Sequence, residues 1–118
     1  MRDEIENYIN NNYDVLQEYP WEKFPQYTTF KHKNNKKWFA IIMNVPYSKL
    51  EMNKDGFIDI INAKNVPEMI GVLRKEQGIY PAYHMNKEYW ISVLLDGTIS
   101  KEKVQELIDV SYELTLKN

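Results

Sequence analysis

Cysteine is absent from this chain. Disulfides, thiolate metal sites and cysteine nucleophiles are thereby excluded, and a disulfide-free small domain suits a reducing compartment. Glycine is scarce: four residues are scattered at 56, 71, 78 and 97, so no glycine-rich loop can cradle a phosphate chain. The two histidines, His32 and His84, stand far apart and without clustered carboxylates. A zinc site usually takes three or four nitrogen or sulfur ligands, so neither a metal nor another cofactor is expected. None of the serines at 48, 92, 100 and 111 occupies a G-x-S-x-G elbow, and no nucleophile is nominated for His84 to activate. The expectation is a protein that is not an enzyme. Long apolar runs are missing as well, and none approaches the ~20 residues that span a bilayer. Residues 1–12 are charged and polar, where a signal peptide needs an apolar stretch. A cytoplasmic protein with no membrane partner follows.

What is present is a chain of 118 residues, the length of a single domain with one core, taken as 1–118. The net charge is −2, whereas dedicated DNA-binding domains are usually basic. The charge is unevenly spread, however. Residues 1–18 set Arg2 against Asp3, Glu4, Glu6, Asp14 and Glu18, a balance of −4. Residues 22–37 set Lys23, Lys31, Lys33, Lys36 and Lys37 against Glu22, a balance of +4. An acidic end and a basic hairpin are expected. Three Trp, nine Tyr and four Phe supply amphipathic rings for a core or an interface.

Asp3 and Glu6 have the spacing of a capping box, and Ile5, Tyr8, Ile9, Tyr13 and Leu16 follow helical periodicity, predicting a first helix that ends near the Asn10-Asn11-Asn12 run. Pro20 and Pro25 interrupt regular structure. Thr28–His32 and Trp38–Met43 read as a hairpin turned at Asn34-Asn35, because Asn tolerates positive φ. Asn53-Lys54-Asp55-Gly56 is a turn rather than a calcium loop, since the spaced acidic ligands are missing. Phe57–Ala63 is a strand. Asn65, Pro67 and Glu68 open a second helix that runs to Gln77 before Gly78. Residues 79–87 read as irregular, and 89–95 as a strand closed by Asp96-Gly97. Ser100 caps a last helix bearing Val104, Leu107, Ile108, Ser111 and Leu114 or Thr115 on one face. The order α-β-β-β-α-β-α with short turns predicts a two-layer α+β fold, an antiparallel sheet of four or more strands covered by helices.

Two stretches carry candidate chemistry. Tyr83-His84-Met85-Asn86-Lys87-Glu88-Tyr89-Trp90 gathers an imidazole, an amide, an ammonium and an indole. Such groups donate to anionic oxygens or stack on a base. Equally, His84 and Asn86 can serve backbone hydrogen bonds while Trp90 belongs to the core. Lys31, Lys33, Lys36 and Lys37 at a hairpin tip can contact phosphates, or simply solubilise the tip and protect strand edges.

In order along the chain, Glu18-Tyr19-Pro20-Trp21, Lys37-Trp38-Phe39-Ala40-Ile41, Ile61-Asn62-Ala63-Lys64 with Pro67-Glu68, His84-Met85-Asn86-Lys87 with Trp90, and Ser111-Tyr112-Glu113-Leu114 together resemble the MmcQ/YjbR family. The resemblance covers nearly the whole chain, with the 46–60 region departing most. It implies a CyaY-like fold and DNA binding by loops acting as paired wings. On this chain it marks Lys64, His84, Asn86, Lys87 and Trp90. The expected nucleic-acid-binding set is then Lys33, Lys36, Lys37, Lys64, His84, Asn86 and Lys87. Double-stranded DNA is the expected partner, with a protein partner or a small anionic ligand as alternatives, and a monomer is the favoured state.

Overall fold

The computed structural model of the chain describes residues 1–116. Three helices, α1 (Arg2–Asn12), α2 (Pro67–Leu73) and α3 (Lys101–Leu116), accompany six strands. These are β1 (Val15–Glu18), β2 (Thr28–His32), β3 (Trp38–Pro46), β4 (Phe57–Lys64), β5 (Ile79–Pro81) and β6 (Trp90–Leu94). The strands form one sheet in the order β1-β2-β3-β4-β6-β5, and every pairing is antiparallel. The expected α+β architecture is thus observed, with two more strands than the sequence pattern marked.

Those two strands are the short edges. β1 has four residues, and its Leu16, expected on the first helix, pairs with Lys31 instead. β5 has three residues and ends at Pro81, a residue that an edge strand tolerates because its missing N–H breaks no interior ladder. The first helix takes Met1 as N-cap, not Asp3. Asp3 and Glu4 lie in its first turn, where carboxylates favour the positive end of the helix dipole. α2 stops at Leu73 rather than Gln77, and turns closed by Lys75 N–H to the Val72 carbonyl and Glu76 N–H to the Leu73 carbonyl carry the chain on to Gly78. Its N-cap is Val66, while Asn65 Oδ1 accepts from Val66 N–H at 2.8 Å. At the β2–β3 hairpin the positive φ falls on Lys36 (63°), not on either asparagine. Asn35 serves through its side chain, Oδ1 accepting from Lys37 N–H at 2.8 Å. Ser100 caps α3 as expected, its Oγ accepting from Lys103 N–H at 3.1 Å.

Alternation along the strands gives the sheet two unlike faces. On one face Ile42, Ile61, Val93 and Ile79 form a cross-strand row. Together with Phe30, Phe39, Ala40 and Ile91, that row packs under Ile5 and Ile9 of α1 and Val104, Leu107 and Ile108 of α3. A register shift between Phe30 and Lys31 lets both Phe39 and Ala40 reach this side. Ser111 ties α3 to the strands: its Oγ donates to the Phe39 carbonyl at 2.6 Å and accepts from Lys64 N–H at 2.8 Å. Among the described residues no α-helix covers the opposite face, against which only the single 3-10 turn Tyr47–Leu50 packs.

Candidate functional site

The uncovered face is built from Trp38, Ile41, Met43 and Val45 of β3, Ile58, Ile60, Asn62 and Lys64 of β4, and Trp90, Ser92 and Leu94 of β6. Three stretches, residues 19–27, 47–56 and 82–87, fold back over it, contributing Trp21, Tyr27, Tyr47, Leu50, Met52, Tyr83 and Met85. Loops held on a rigid sheet are where binding residues commonly concentrate.

Two buried polar residues hold one of these loops in place. Asn62 and Ser92 are cross-strand partners, and both are 0% exposed. Asn62 Nδ2 donates to the Tyr83 carbonyl at 2.8 Å, and Ser92 Oγ accepts from Tyr83 N–H at 2.9 Å while donating to Asn62 Oδ1. Buried polar groups need such partners, since leaving one unpaired costs about 1–3 kcal/mol. The pair fixes both backbone groups of Tyr83, and the next residue, His84, takes a left-handed φ of 59°. Asn86 then makes the turn back to the sheet. Its Oδ1 accepts from Glu88 N–H at 2.8 Å, and its carbonyl accepts from Trp90 N–H at 3.0 Å. Arg74 Nη1 donates to the Lys87 carbonyl at 3.3 Å, linking the loop to the chain that follows α2.

Between this loop and residues 19–27 lies a cavity of about 350 Å³. Its walls are the rings of Trp21, Phe24, Tyr27, Trp38 and Tyr83, its floor is Ile41 and Met43, and His84 and Met85 close one side. Trp21 stands edge-on to Trp38 (centroids 5.7 Å apart) and to Tyr27 (6.0 Å). Phe24 stacks on Tyr27 at 4.6 Å with 13° between planes. These are the arrangements the ring quadrupole favours. Burial, and then the neighbouring Tyr83, push the Tyr27 hydroxyl's pKa up. Tyr83 also borders a second cavity, of about 440 Å³, lined by Lys49, Leu50, Glu51, Tyr80, Ala82 and Lys87 among others.

The residues expected to form the site are only partly brought together. Trp38, at the foot of the basic hairpin, and His84 line the same cavity, so hairpin and loop do flank one site. Lys64 is the cross-strand partner of Trp90 and stands one register step beyond the Ala63–Ala40 pair, toward the hairpin end of the sheet. Its Nζ lies 5.9 Å from the Tyr89 ring centroid. Lys33 does not join them, being paired with Asp14 at 3.1 Å; Lys31 likewise reaches Glu18 at 2.9 Å. Lys36 and Lys37 are exposed on the hairpin. Asn86 spends its side-chain oxygen on its own turn. Trp90 is buried in the core of this face. Among the described residues, no ion pair engages Lys36, Lys49, Lys64 or Lys87.

Sequence reasoning missed Asn62, Ser92, Trp21, Phe24 and Tyr27. The first two carry a legible signal, polar residues inside otherwise apolar strands. The three rings come from a stretch that proline and charge mark only as irregular. Among the described residues no three of His, Asp and Glu gather closely enough to hold a metal ion, and no helix is long and apolar enough to cross a membrane.

A family model described as YjbR matches residues 3–114. The uncharacterized protein YyaQ of Bacillus subtilis (strain 168) is 42% identical over 114 residues, 97% of each chain. The uncharacterized protein YjbR of Escherichia coli (strain K12) is 33% identical over 54 residues, covering 45% of this chain and 46% of that one. In structure, the chain is similar to a Pseudomonas syringae protein solved by crystallography, with a TM-score of 0.95 at 46% identity and 98% of both chains covered. It is also similar to a Deinococcus radiodurans protein described as a DUF419 domain, with a TM-score of 0.76 at 25% identity, covering 100% of this chain and 80% of that one.

Proposed function

This chain belongs to the YjbR family, and we propose that it is a binding protein that takes DNA on the loop-covered side of its sheet. The observation that carries this reading is the aromatic cavity between residues 19–27 and the His84 loop, near lysines that no ion pair engages among the described residues. Lys36 and Lys64 lie toward the hairpin end, and Lys49 and Lys87 lie beyond Tyr83. Lysines of this kind contact phosphates as point charges, while rings and an imidazole meet bases. The overall charge of −2 does not oppose this arrangement, because Asp14 and Glu18 are paired with Lys33 and Lys31, and among the described residues no acidic partner engages Lys64 or Lys87. Lys33 therefore drops out of the expected contact set, and Asn86 acts by shaping the loop.

The test is binding of short labelled DNA at low and moderate salt, beside a variant with Lys36, Lys64 and Lys87 changed to Ala. Each lost phosphate contact lowers the log–log salt slope by about 0.7–0.9, so the triple variant should bind more weakly and lose a slope of roughly 2. Absence of binding at low salt, where charge attraction is least screened, would refute the proposal. A second reading, a small anionic ligand, is favoured by Lys49 and Lys87 lining the second cavity together with Tyr80 and Tyr83. A rise in Tm with a panel of aromatic carboxylates and nucleotides, without any oligonucleotide binding, would select it.

A further inference from the structure

We infer that the aromatic cavity is a pocket for one unpaired nucleobase, so that the protein prefers a single strand to a duplex, which rests on the DNA-binding function and specifies its substrate. A duplex offers a protein its phosphates and the edges of its bases, while the ring faces stay inside the stack. The cavity is made to receive what a duplex withholds. Five of its lining residues are aromatic, and its floor is Ile41 and Met43. Its volume of about 350 Å³ falls in the range of small-molecule pockets. A phosphate or a groove edge gains nothing from such walls.

Were these rings only a second small core, they would fill the space between them, because protein interiors are close-packed. Instead the space is open and Phe24 remains 50% exposed while stacked on Tyr27. One polar group stands at the rim for a base edge, the exposed His84 imidazole. The pocket is also pre-formed. Asn62 and Ser92 fix the Tyr83 backbone, and Trp21 is set edge-on between Tyr27 and Trp38. Little ordering is then left for the ligand to bring about.

Charge gives the strand its path. Lys64 lies toward the hairpin end of this face, and Lys49 and Lys87 line the cavity past Tyr83 on the other side. A base seated among the rings leaves its flanking phosphates running outward in both directions, one toward each group of ammonium ions. A chain with one base turned in and its backbone lying across the face meets cation, ring cluster and cation in succession.

The experiment compares three labelled decamers at one low salt concentration: single-stranded oligo-dT, the same sequence as a duplex, and a fully abasic strand that keeps every phosphate. Tryptophan fluorescence is followed alongside, since Trp21 and Trp38 both line the cavity. The single strand should bind roughly tenfold or more tightly than the abasic strand, the scale of one stacked base, and more tightly than the duplex, and it alone should quench tryptophan. Phe24→Ala, a change at a half-exposed position outside any helix or strand, should remove most of the single-strand advantage and leave abasic binding unchanged. Equal affinity for all three, with no quenching, would overturn the base pocket while leaving DNA binding intact. Failure of all three to bind would overturn the DNA-binding function and the pocket with it.

Discussion

The two faces of this sheet are made from neighbouring residues of the same strands, yet they end in opposite states. Ile42, Ile61, Val93 and Ile79 make a continuous apolar row, and it shares one core cluster with residues of all three helices. One register step away, on the other side, the row reads Thr29, Ile41, Asn62, Ser92 and Tyr80. Its polar pair is used to pin a loop, and the cover is made of irregular segments that leave two cavities. Helices bury a face completely because their side chains interlock along a regular stripe. Loops can be placed by a few specific hydrogen bonds and need not fill the space beneath them. The helix-covered side holds one core cluster and the loop-covered side a second, bordered by cavities, and it is on the second that binding is proposed.

Substitutions can break or sharpen that contrast. The largest effect is expected from Ile61→Ala, which empties a site in the middle of the helix-covered face. A loss of about 2–5 kcal/mol is typical for such a cavity, and chemical denaturation would read it. The matching change on the other face, Phe24→Ala, should move stability by no more than about 0.5 kcal/mol, as for exposed positions generally. A comparable loss from both would erase the distinction. Next comes Asn62→Ala, which strips the Tyr83 carbonyl and Ser92 of their buried partner. It should cost about 1–3 kcal/mol, and amide exchange should quicken in the 82–87 loop while α3 stays protected.

The helix-covered face has one titrating weakness. His32 is 1% exposed. The Thr115 hydroxyl donates to the Ser111 carbonyl at 2.7 Å, so His32 Nε2 donates to Thr115 Oγ1 at 2.8 Å and Nδ1 is left without a partner. Burial lowers the histidine's pKa, with Lys37 acting in the same sense and the Tyr112 carbonyl and Glu113 opposing it. The folded protein therefore binds this proton less readily than the unfolded chain does. The stability it confers is fully present above the ordinary value of 6.5 and is lost as the pH falls from there through the lowered folded pKa. Thermal melts across this window should show that decline, and His32→Gln should flatten it. The smallest effect belongs to Lys33→Ala. It breaks an exposed pair with Asp14, worth about 0–1 kcal/mol, and should leave DNA affinity nearly unchanged where Lys64→Ala weakens it.

The helix-covered face was the more legible in sequence. β-Branched runs marked β3 and β4, Ser100 announced α3, and Asp96-Gly97 and Gly56 marked turns, since each signal is local. β1 and β5 escaped because three or four residues carry too little periodicity, and Pro81 argued against a strand interior. Lys36 could be named from the basic hairpin, and Lys64, His84 and Lys87 through the family resemblance, but their setting could not. That Asn62 faces Ser92, or that Trp21 and Phe24 return over Trp38, depends on strand register and chain reversal, to which no local signal points. The ion pair of Lys33 with Asp14 was hidden for the same reason, because Asp14 sits on the turn before β1, a strand that local pattern does not mark.

The central claim, that ligand binds the loop-covered face, is tested most directly by mapping backbone amide shifts in the labelled protein as oligo-dT is added. The largest changes should cluster on Ile41, Met43, Asn62, Tyr83, His84 and the amides of residues 21–27. Changes gathered instead on α1 and α3, with those amides unmoved, would contradict it.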